Sequence, residues 1–351
     1  MAFESSDVRK PRAYLVIGGA SLLCLSAHAT RSRTRKSDTF EAEISLSYAA
    51  QFGFDVSWWA SQGAIEADSV WSDGNTTKTV ISGRVDSVRI DLVERIVHVS
   101  GRDASSKLSE KRRSKKYNNQ KASDIVSEIA GDYGLTPVIE TSEDDAGKQY
   151  QQDTAHLVLN KTDFETLSDL AEREGAYWYV DGNELHFVPK ESGGNVYPLI
   201  YRPPSAASYM AANFMRVRLS RNLRASQTAK VTVKSHHAKD DKDYEYTATS
   251  GGDGDGTLEY VHEIPMLNQK QVEKVAKSKL ADVIRHELQV EVEEMPGDLS
   301  LEPEFKLSLS GTGSLFDQEY DIDHIQYQMR DGSNFTMSVH IKAPKKGRSA
   351  E

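Results

Sequence analysis

Several features are scarce or missing in this sequence of 351 residues. Cys24 is the only cysteine, so an intrachain disulfide and a cysteine-based metal cluster are excluded. No apolar run approaches the roughly 20 residues of a membrane-spanning helix, and no membrane segment is expected. Basic residues number 43 against 53 acidic ones, and the net charge of -10 argues against a protein that binds nucleic acid by neutralising its phosphates.

The motifs of common enzyme classes are also missing. There is no P-loop, no G-x-S-x-G elbow and no H-E-x-x-H pair. The segment from His236 to Asp243 holds two histidines and three aspartates, but a second pair of ligands at zinc spacing is lacking. Residues 252–256 alternate glycine and aspartate without the spacing or terminal glutamate of a calcium loop. We therefore expect both segments to be polar loops, and no enzyme activity, metal or cofactor.

The clearest local pattern lies at residues 162–189, which predict a helix followed by a hairpin. Thr162 and Glu165 have the spacing of a capping box, and Gly175 stands where a left-handed cap ends a helix. The apolar face of this helix consists of Phe164, Leu167, Leu170 and Ala171. Two β-favouring runs follow, at 176–180 and 185–188, joined by an Asp-Gly-Asn-Glu turn.

The N-terminal stretch has two interpretations. Lys10 and Arg12 precede an apolar run that ends near Ala27-His28-Ala29, which is typical of a secretory signal peptide. Gly18-Gly19 interrupts the run as a hairpin turn does. We interpret residues 13–29 as a β-hairpin that stays in the mature protein.

Residues 1–105 are predicted to be all-β. Phe40, Ala42, Ile44 and Leu46 alternate with polar residues, which is the period of a half-buried strand. Further strands are expected at 80–88 and 90–100. Several short strands separated by turn signals favour a barrel or a sandwich.

A basic run follows at residues 106–121, where Glu110 is the only acidic residue. Its candidate interface residues are Lys107, Lys111, Arg112, Arg113, Lys115 and Lys116. A run of like charges is most often a solvated loop, but it also fits a surface that contacts a partner protein or DNA.

The rest of the chain predicts an α+β segment and a second β region. A helix is expected at 125–133, and residues 191–351 contain strands and one long helix from Asn268 to about His286. The buried stripe of that helix is expected to be Val272, Val275, Ala276, Leu280 and Val283.

Three patches together resemble the late control D family, the central hubs of contractile phage tail baseplates, and the hub part of type VI secretion VgrG spike proteins. The patches read SGRVDSVRIDLVERIVHVSGRD, DFETLSDLAEREGAYWYVDGNELHFVP and MPGDLSLEPEFKLSLSG followed by FDQEYDIDHIQYQM. The matching positions are Gly101, Asp103, Asp163, Leu167, Leu170, Ala171, Gly175, Gly297, Pro303, Gly311, Tyr320 and Ile322. Glu304 replaces a usual glycine, and Gln328 lies near a usual histidine.

The resemblance implies a mainly β fold with an α+β insert: a tube-like barrel at 1–105, an inserted domain at 106–190, and a second barrel with one long helix at 191–351. It further implies a non-enzymatic homotrimer in the virion, assembled in the host cytoplasm. This ring joins the sixfold tail tube to a separate trimeric spike, contacts other baseplate proteins, and lines a channel that DNA passes without specific binding.

Two alternatives stay open. A related injection machine or gene-transfer particle has a similar hub. A secreted periplasmic binding or hydrolytic protein, with a signal peptide at 1–29, is the rival from another class. For a hub, the basic runs Arg31 to Lys36 and Lys107 to Lys121 are expected to lie outside, against tail neighbours or solvent, because a basic channel wall would retain DNA.

Overall fold

The computed structural model describes residues 10–33, 36–115, 117, 120–140, 160–189, 194–223, 227–237, 241–251, 254–265, 267–284, 287–332 and 334–342. The strands are β1 (Arg12–Ile17), β2 (Ala20–Ser32), β3 (Thr39–Ser45), β4 (Glu66–Ser72), β5 (Thr77–Asp91), β6 (Ile96–Asp103), β7 (Arg112–Arg113), β8 (Thr136–Ile139), β9 (Lys161–Thr162), β10 (Ala176–Asp181), β11 (Glu184–Pro189), β12 (Val196–Arg202), β13 (Ala211–Ala212), β14 (Arg216–Arg221), β15 (Gln227–His237), β16 (Lys242–Ser250), β17 (Gly254–Glu263), β18 (Leu288–Pro296), β19 (Lys306–Ser310), β20 (Glu319–Arg330) and β21 (Asn334–Lys342). The helices are α1 (Leu46–Gln51), α2 (Val56–Ser61), α3 (Ala122–Asp132), α4 (Asp163–Glu174) and α5 (Gln269–Ile284), with a 3-10 helix at Ala104–Ser109. The predicted fold class, mainly β with an α+β insert, is confirmed. Within these ranges no helix combines the length and apolar character needed to cross a membrane.

Strands β1 to β6 form a closed six-stranded barrel. Their order is β1-β4-β5-β6-β3-β2, and β2 pairs back onto β1. Gly18 and Gly19 make the turn between β1 and β2 with φ of 57° and 86°, a conformation that glycine adopts at low cost. The predicted hairpin at 13–29 is therefore confirmed, and the signal-like stretch supplies two strands of the barrel.

Two short helices interrupt this barrel, so the expectation that residues 1–105 are all-β is wrong here. Leu46 begins α1 instead of continuing β3, because the Ser45 hydroxyl accepts the N–H of Tyr48 at 3.4 Å. The Asp55 carboxylate accepts the N–H of Trp58 at 2.8 Å and starts α2 in the same way. A side-chain cap of this kind satisfies a free helix N–H group and overrides the strand alternation.

The barrel is the first half of the main sheet, and the strands of that sheet from β12 onward are its second half. The pairing of β2 with β20 joins the two halves. From β20 one branch runs to β19, β12 and β13, and the other runs through β21 and β18 to β14. Asn213 lies between β13 and β14 in the chain and is tied to β12: its side-chain oxygen accepts the Ile200 N–H at 2.9 Å, and its side-chain nitrogen donates to the Pro198 carbonyl at 2.8 Å. One apolar core lies under both halves.

The insert packs α3 and α4 on a three-stranded sheet of order β10-β11-β8. The predicted capping box is present: Glu165 accepts the Thr162 N–H at 2.8 Å, and the Thr162 hydroxyl accepts the Glu165 N–H at 3.1 Å. Gly175 ends α4 in the left-handed conformation, with φ of 63°. The helix and hairpin predicted for 162–189 are confirmed.

A third unit lies within the second half. Strands β16-β15-β17 form a separate sheet, and α5 packs on it around a core of its own. The long helix predicted from Asn268 to about His286 is thus observed as α5. Val272, Ala276 and Leu280 of the predicted stripe are almost fully buried. The predicted range 191–351 therefore contains strands of the main sheet together with this second layer.

Candidate assembly interfaces

The basic run at 106–121 makes many ion pairs within the chain. Lys107 pairs with Glu66 at 3.1 Å. The Arg112 guanidinium donates to the Asn160 carbonyl at 2.7 Å and to Glu165 at 3.2 Å. Lys115 pairs with Glu128, and Lys111 is exposed. Lys116 lies outside the described residues.

Arg113 anchors the insert through a buried acid. It forms ion pairs with Asp163, which is 3% exposed, and with Asp132 at 2.7 Å. The Tyr133 hydroxyl donates to the same Asp163 carboxylate at 2.7 Å. Arg113, predicted as an interface residue, and Asp163, which matches the family pattern, therefore form a contact within the chain. A partner contact for the run as a whole stays a prediction, and Lys111 is an exposed member of it.

Sequence reasoning missed a buried charge cluster around Arg31. The Arg31 guanidinium pairs with Asp38 at 3.5 Å, with Asp181 at 3.3 Å and with Glu302, which also pairs with Lys78. These groups come from the barrel, from the β10–β11 hairpin of the insert, and from the loop before β19. The cluster therefore holds three parts of the chain against one another.

The expectation that the run Arg31 to Lys36 faces outward is wrong for its first arginines. Arg31 and Arg33 are 3% and 2% exposed, and the Arg33 guanidinium lies 4.7 Å from the centre of the Tyr177 ring. Lys36 is exposed. The physical reason is distance along the chain: Glu302, the acid that draws Arg31 inward, is 271 residues away.

Two carboxylic acids are buried beside this cluster. Asp38 accepts the N–H of Ser32 at 2.8 Å, and Asp103 accepts the hydroxyl of Ser105 at 2.7 Å. Burial raises the pKa of Asp38 well above its usual range, and burial raises the pKa of Asp103 to about 7. Nearby acids add to the rise at Asp38, whereas Arg31 opposes it. Both carboxyl groups therefore keep a proton to higher pH than exposed aspartates do.

The other family-matching residues are packing positions. A side chain at Gly101 would overlap the Arg84 carbonyl and the Phe40 ring, and one at Gly297 would overlap the Phe335 ring. Gly311 has φ of 97° and approaches the Tyr201 carbonyl too closely for any side chain. The buried members of the set are Leu167, Leu170, Ala171, Pro303, Tyr320 and Ile322.

Within the described ranges no cluster of three or more His, Cys, Asp or Glu side chains is arranged to hold a metal ion. His236 forms an exposed pair with Asp243 at 2.8 Å. Asp240, Gly252 and Asp253, which belong to the segments considered from the sequence, lie outside the described residues.

Two adjoining shallow depressions, which share His28 and Glu41, lie on the solvent-exposed face of the sheet where the two halves meet, and together they are called the polar groove. The polar groove covers parts of β5, β6, β3, β2, β20 and β21, and six of its lining residues are His28, Thr30, Glu41, Glu43, Gln326 and Gln328. These side chains alternate with buried ones such as Ala29, Ala42 and Tyr327. Arg89 is the one Lys or Arg among the lining residues, which also include Glu294.

A family profile described as "Phage tail baseplate hub (GPD)" matches residues 38–333. A search of the curated proteins found no match.

Solved structures with a similar fold are phage tail and secretion proteins. The tail protein from Neisseria meningitidis MC58 has a TM-score of 0.73 at 13% identity, over 95% of this chain and 97% of that chain. The 43 kDa tail protein of prophage MuSo2 from Shewanella oneidensis has a TM-score of 0.66 at 17% identity, over 96% and 97%. The E. coli c3393 protein has a TM-score of 0.54 at 9% identity, over 95% and 77%. It is described as a component of the type VI secretion system, similar in structure to the T4 bacteriophage tail proteins gp27 and gp5.

Proposed function

Because the chain belongs to the phage tail baseplate hub family, matched over residues 38–333, we propose that three copies form the closed central ring of a contractile-tail baseplate. The protein is a structural component of the virion tail. The observation that carries the ring is the β2–β20 pairing, which joins the closed barrel to a second set of seven strands, β20 and the two branches that start from it. Three such chains present six similar units, which matches a sixfold tube, and leave threefold symmetry for a spike.

The polar groove over β5, β6, β3, β2, β20 and β21 is the proposed wall of the DNA channel. Its charge supports this assignment, because the lining contains three glutamates, Glu41, Glu43 and Glu294, but only one Lys or Arg residue, Arg89. A neutral to acidic wall repels phosphates weakly and gives DNA no sites at which counterions are released. DNA therefore slides past it without specific binding.

The proposed neighbours are the tail tube on one side of the ring and a spike on the other. The fold shared with the E. coli type VI component, itself similar to gp27 and gp5, supports contacts of this kind. Other baseplate proteins are expected at the outer surface. The role is that of a scaffold, and the proposal includes no catalytic step.

Cryo-electron microscopy of purified tails tests the ring and the channel together. The expected map has three copies of this chain at one level, with the β2 and β20 strands facing the bore. A map with one or two copies would disprove the ring. A map with three copies but with Glu41 and Glu43 on the outer surface would disprove the channel wall alone.

A further inference from the structure

A hairpin arm extends from the second half of the chain. It comprises residues 202–215, and every residue from Arg202 to Asn213 is exposed. Residues 203–215 contain no charged side chain. Tyr209 is 96% exposed and Met210 is 61% exposed. Aromatic and methionine side chains presented in this way are characteristic of interaction surfaces.

The arm is held in one shape by its own backbone. Tyr201 and Arg202 lie opposite Ala212 and Ala211, and backbone hydrogen bonds of 2.9 and 3.3 Å join Ser205 with Ser208 at its end. The Asn213 amide bonds described above fix its base on β12. A preorganised arm loses little conformational entropy when it docks.

A second exposed apolar feature lies in the barrel, at the turn between β5 and β6. This tip comprises residues 91–95, in which Leu92 is 66% and Val93 is 93% exposed. The Asp91 carboxylate accepts the N–H groups of Val93 and Glu94 at 2.9 and 2.7 Å, which fixes the turn. Tyr209 and Val93 are the two most exposed large apolar side chains in the described part of the chain.

The strand order places the arm and the tip far from the junction of the two halves. Around the barrel, β5 is three strands from β2 in either direction, so it lies on the side opposite the junction. In the second half, one of the two branches that start at β20 ends at β13, within the arm, and the other ends at β14. The arm, which runs from β12 to β14, therefore lies across the second half from the same junction.

We propose that the arm of one copy docks on the tip of the next copy in the ring, an interface that rests on the proposed trimer. The charges are complementary in sign: Arg202 begins the arm and Arg216 follows it, whereas Asp91 and Glu94 outnumber Arg95 in the tip. Arg216 also pairs with Glu293 of its own chain at 3.2 Å. The two surfaces differ, so the contact is head to tail. Contacts of that kind close into a ring when the rotation between copies allows it.

A photo-cross-linker tests which molecule the arm contacts. Tyr209 is replaced by p-benzoylphenylalanine, the tails are assembled and irradiated, and the products are mapped by mass spectrometry. The expected product joins position 209 of one copy to residues 91–94 of another. A product with a different tail protein, or no product above the unirradiated background, would overturn the proposal.

The same tails are imaged so that the two proposals are separated. Three copies without the expected cross-link would overturn the arm contact and leave the hub ring intact. A single copy would overturn both.

An arm variant supplies a second measurement. Tyr209→Ser with Met210→Ser is expected to leave the melting temperature of the purified chain unchanged, because both side chains are exposed, and to reduce incorporation into tails at least tenfold. Val261→Ser is the matched control, since Val261 is 60% exposed but lies on β17. Normal incorporation of the arm variant would contradict the proposal.

Discussion

Asp103 donates its backbone N–H to the carbonyl of Asp38 at 3.0 Å, which brings two buried carboxylic acids together between β3 and β6. Burial raises the pKa of both carboxyl groups above the values of the unfolded chain. The stability of the barrel is therefore linked to pH through this contact.

The first prediction follows from the raised pKa of Asp103, about 7 against 3.8 in the unfolded chain. As pH rises from about 4 to about 7, the unfolded chain releases a proton that the folded chain retains, so this group lowers the stability progressively over that window. Asp103→Asn removes the effect. The free energy of unfolding of Asp103→Asn minus that of the unaltered chain should therefore increase by up to about 4 kcal/mol as the pH rises from about 4 to about 7. Urea denaturation at several pH values measures the difference.

The control for this experiment is Asp331→Asn, which changes an exposed aspartate in the turn after β20. Its stability should follow the pH curve of the unaltered chain. Parallel curves for Asp103→Asn and the unaltered chain would show that Asp103 is ionised in the fold.

The second prediction concerns the Arg31 cluster. Arg31→Met leaves the buried Asp38 without its cation and Glu302 with Lys78 alone, and should lower the free energy of unfolding by about 3–5 kcal/mol. Arg218→Met removes an exposed pair with Glu293 and should cost less than about 1 kcal/mol. Chemical denaturation compares the two. Equal losses would mean that the three parts of the chain hold together without the cluster.

The third prediction separates structural from partner-facing basic residues. Arg113→Ala leaves the buried Asp163 carboxylate without its cationic partner and should destabilise the insert by about 1–3 kcal/mol. Lys111→Ala, at an exposed position, should change stability by less than about 0.5 kcal/mol. Hydrogen exchange of α4 reports the difference. Unchanged exchange in Arg113→Ala would show that Tyr133 alone satisfies Asp163.

The fourth prediction tests the end of α4. Gly175→Val places a β-branched residue at φ of 63° and should cost about 1–2 kcal/mol of stability. Gly131→Ala, inside α3 with open space around it, should be neutral or stabilising by up to about 1 kcal/mol. Melting temperatures give the comparison, and a drop in both variants would point to a general intolerance of the insert.

Local signals in the sequence were sufficient for several elements. The capping box at Thr162, the helix end at Gly175 and the hairpin turn at Gly18-Gly19 each depend on residues within a few positions of one another. The hydrogen bonds and backbone preferences that form each feature lie within one short segment, and each feature is present in the structure.

The remaining features depend on distant residues. The prediction that Arg31 lies on the outside was wrong because its partners Asp181 and Glu302 are far from it in the sequence, and no local pattern indicates that they pair with it. The β2–β20 pairing and the separate core under α5 are likewise products of the whole chain. The prediction that Leu46 continues the strand was wrong for a different reason. The alternation of apolar residues suits a strand, but the cap at Ser45 starts a helix at Leu46.

The β2–β20 junction also has a mechanical consequence. Seven residue pairs join the two strands, from Ser26 with Arg330 to Ser32 with His324. A pull directed along these antiparallel strands strains their perpendicular hydrogen bonds in shear, so that all of them resist together instead of parting one by one. A load on one half of the main sheet is therefore passed to the other half through β2 and β20.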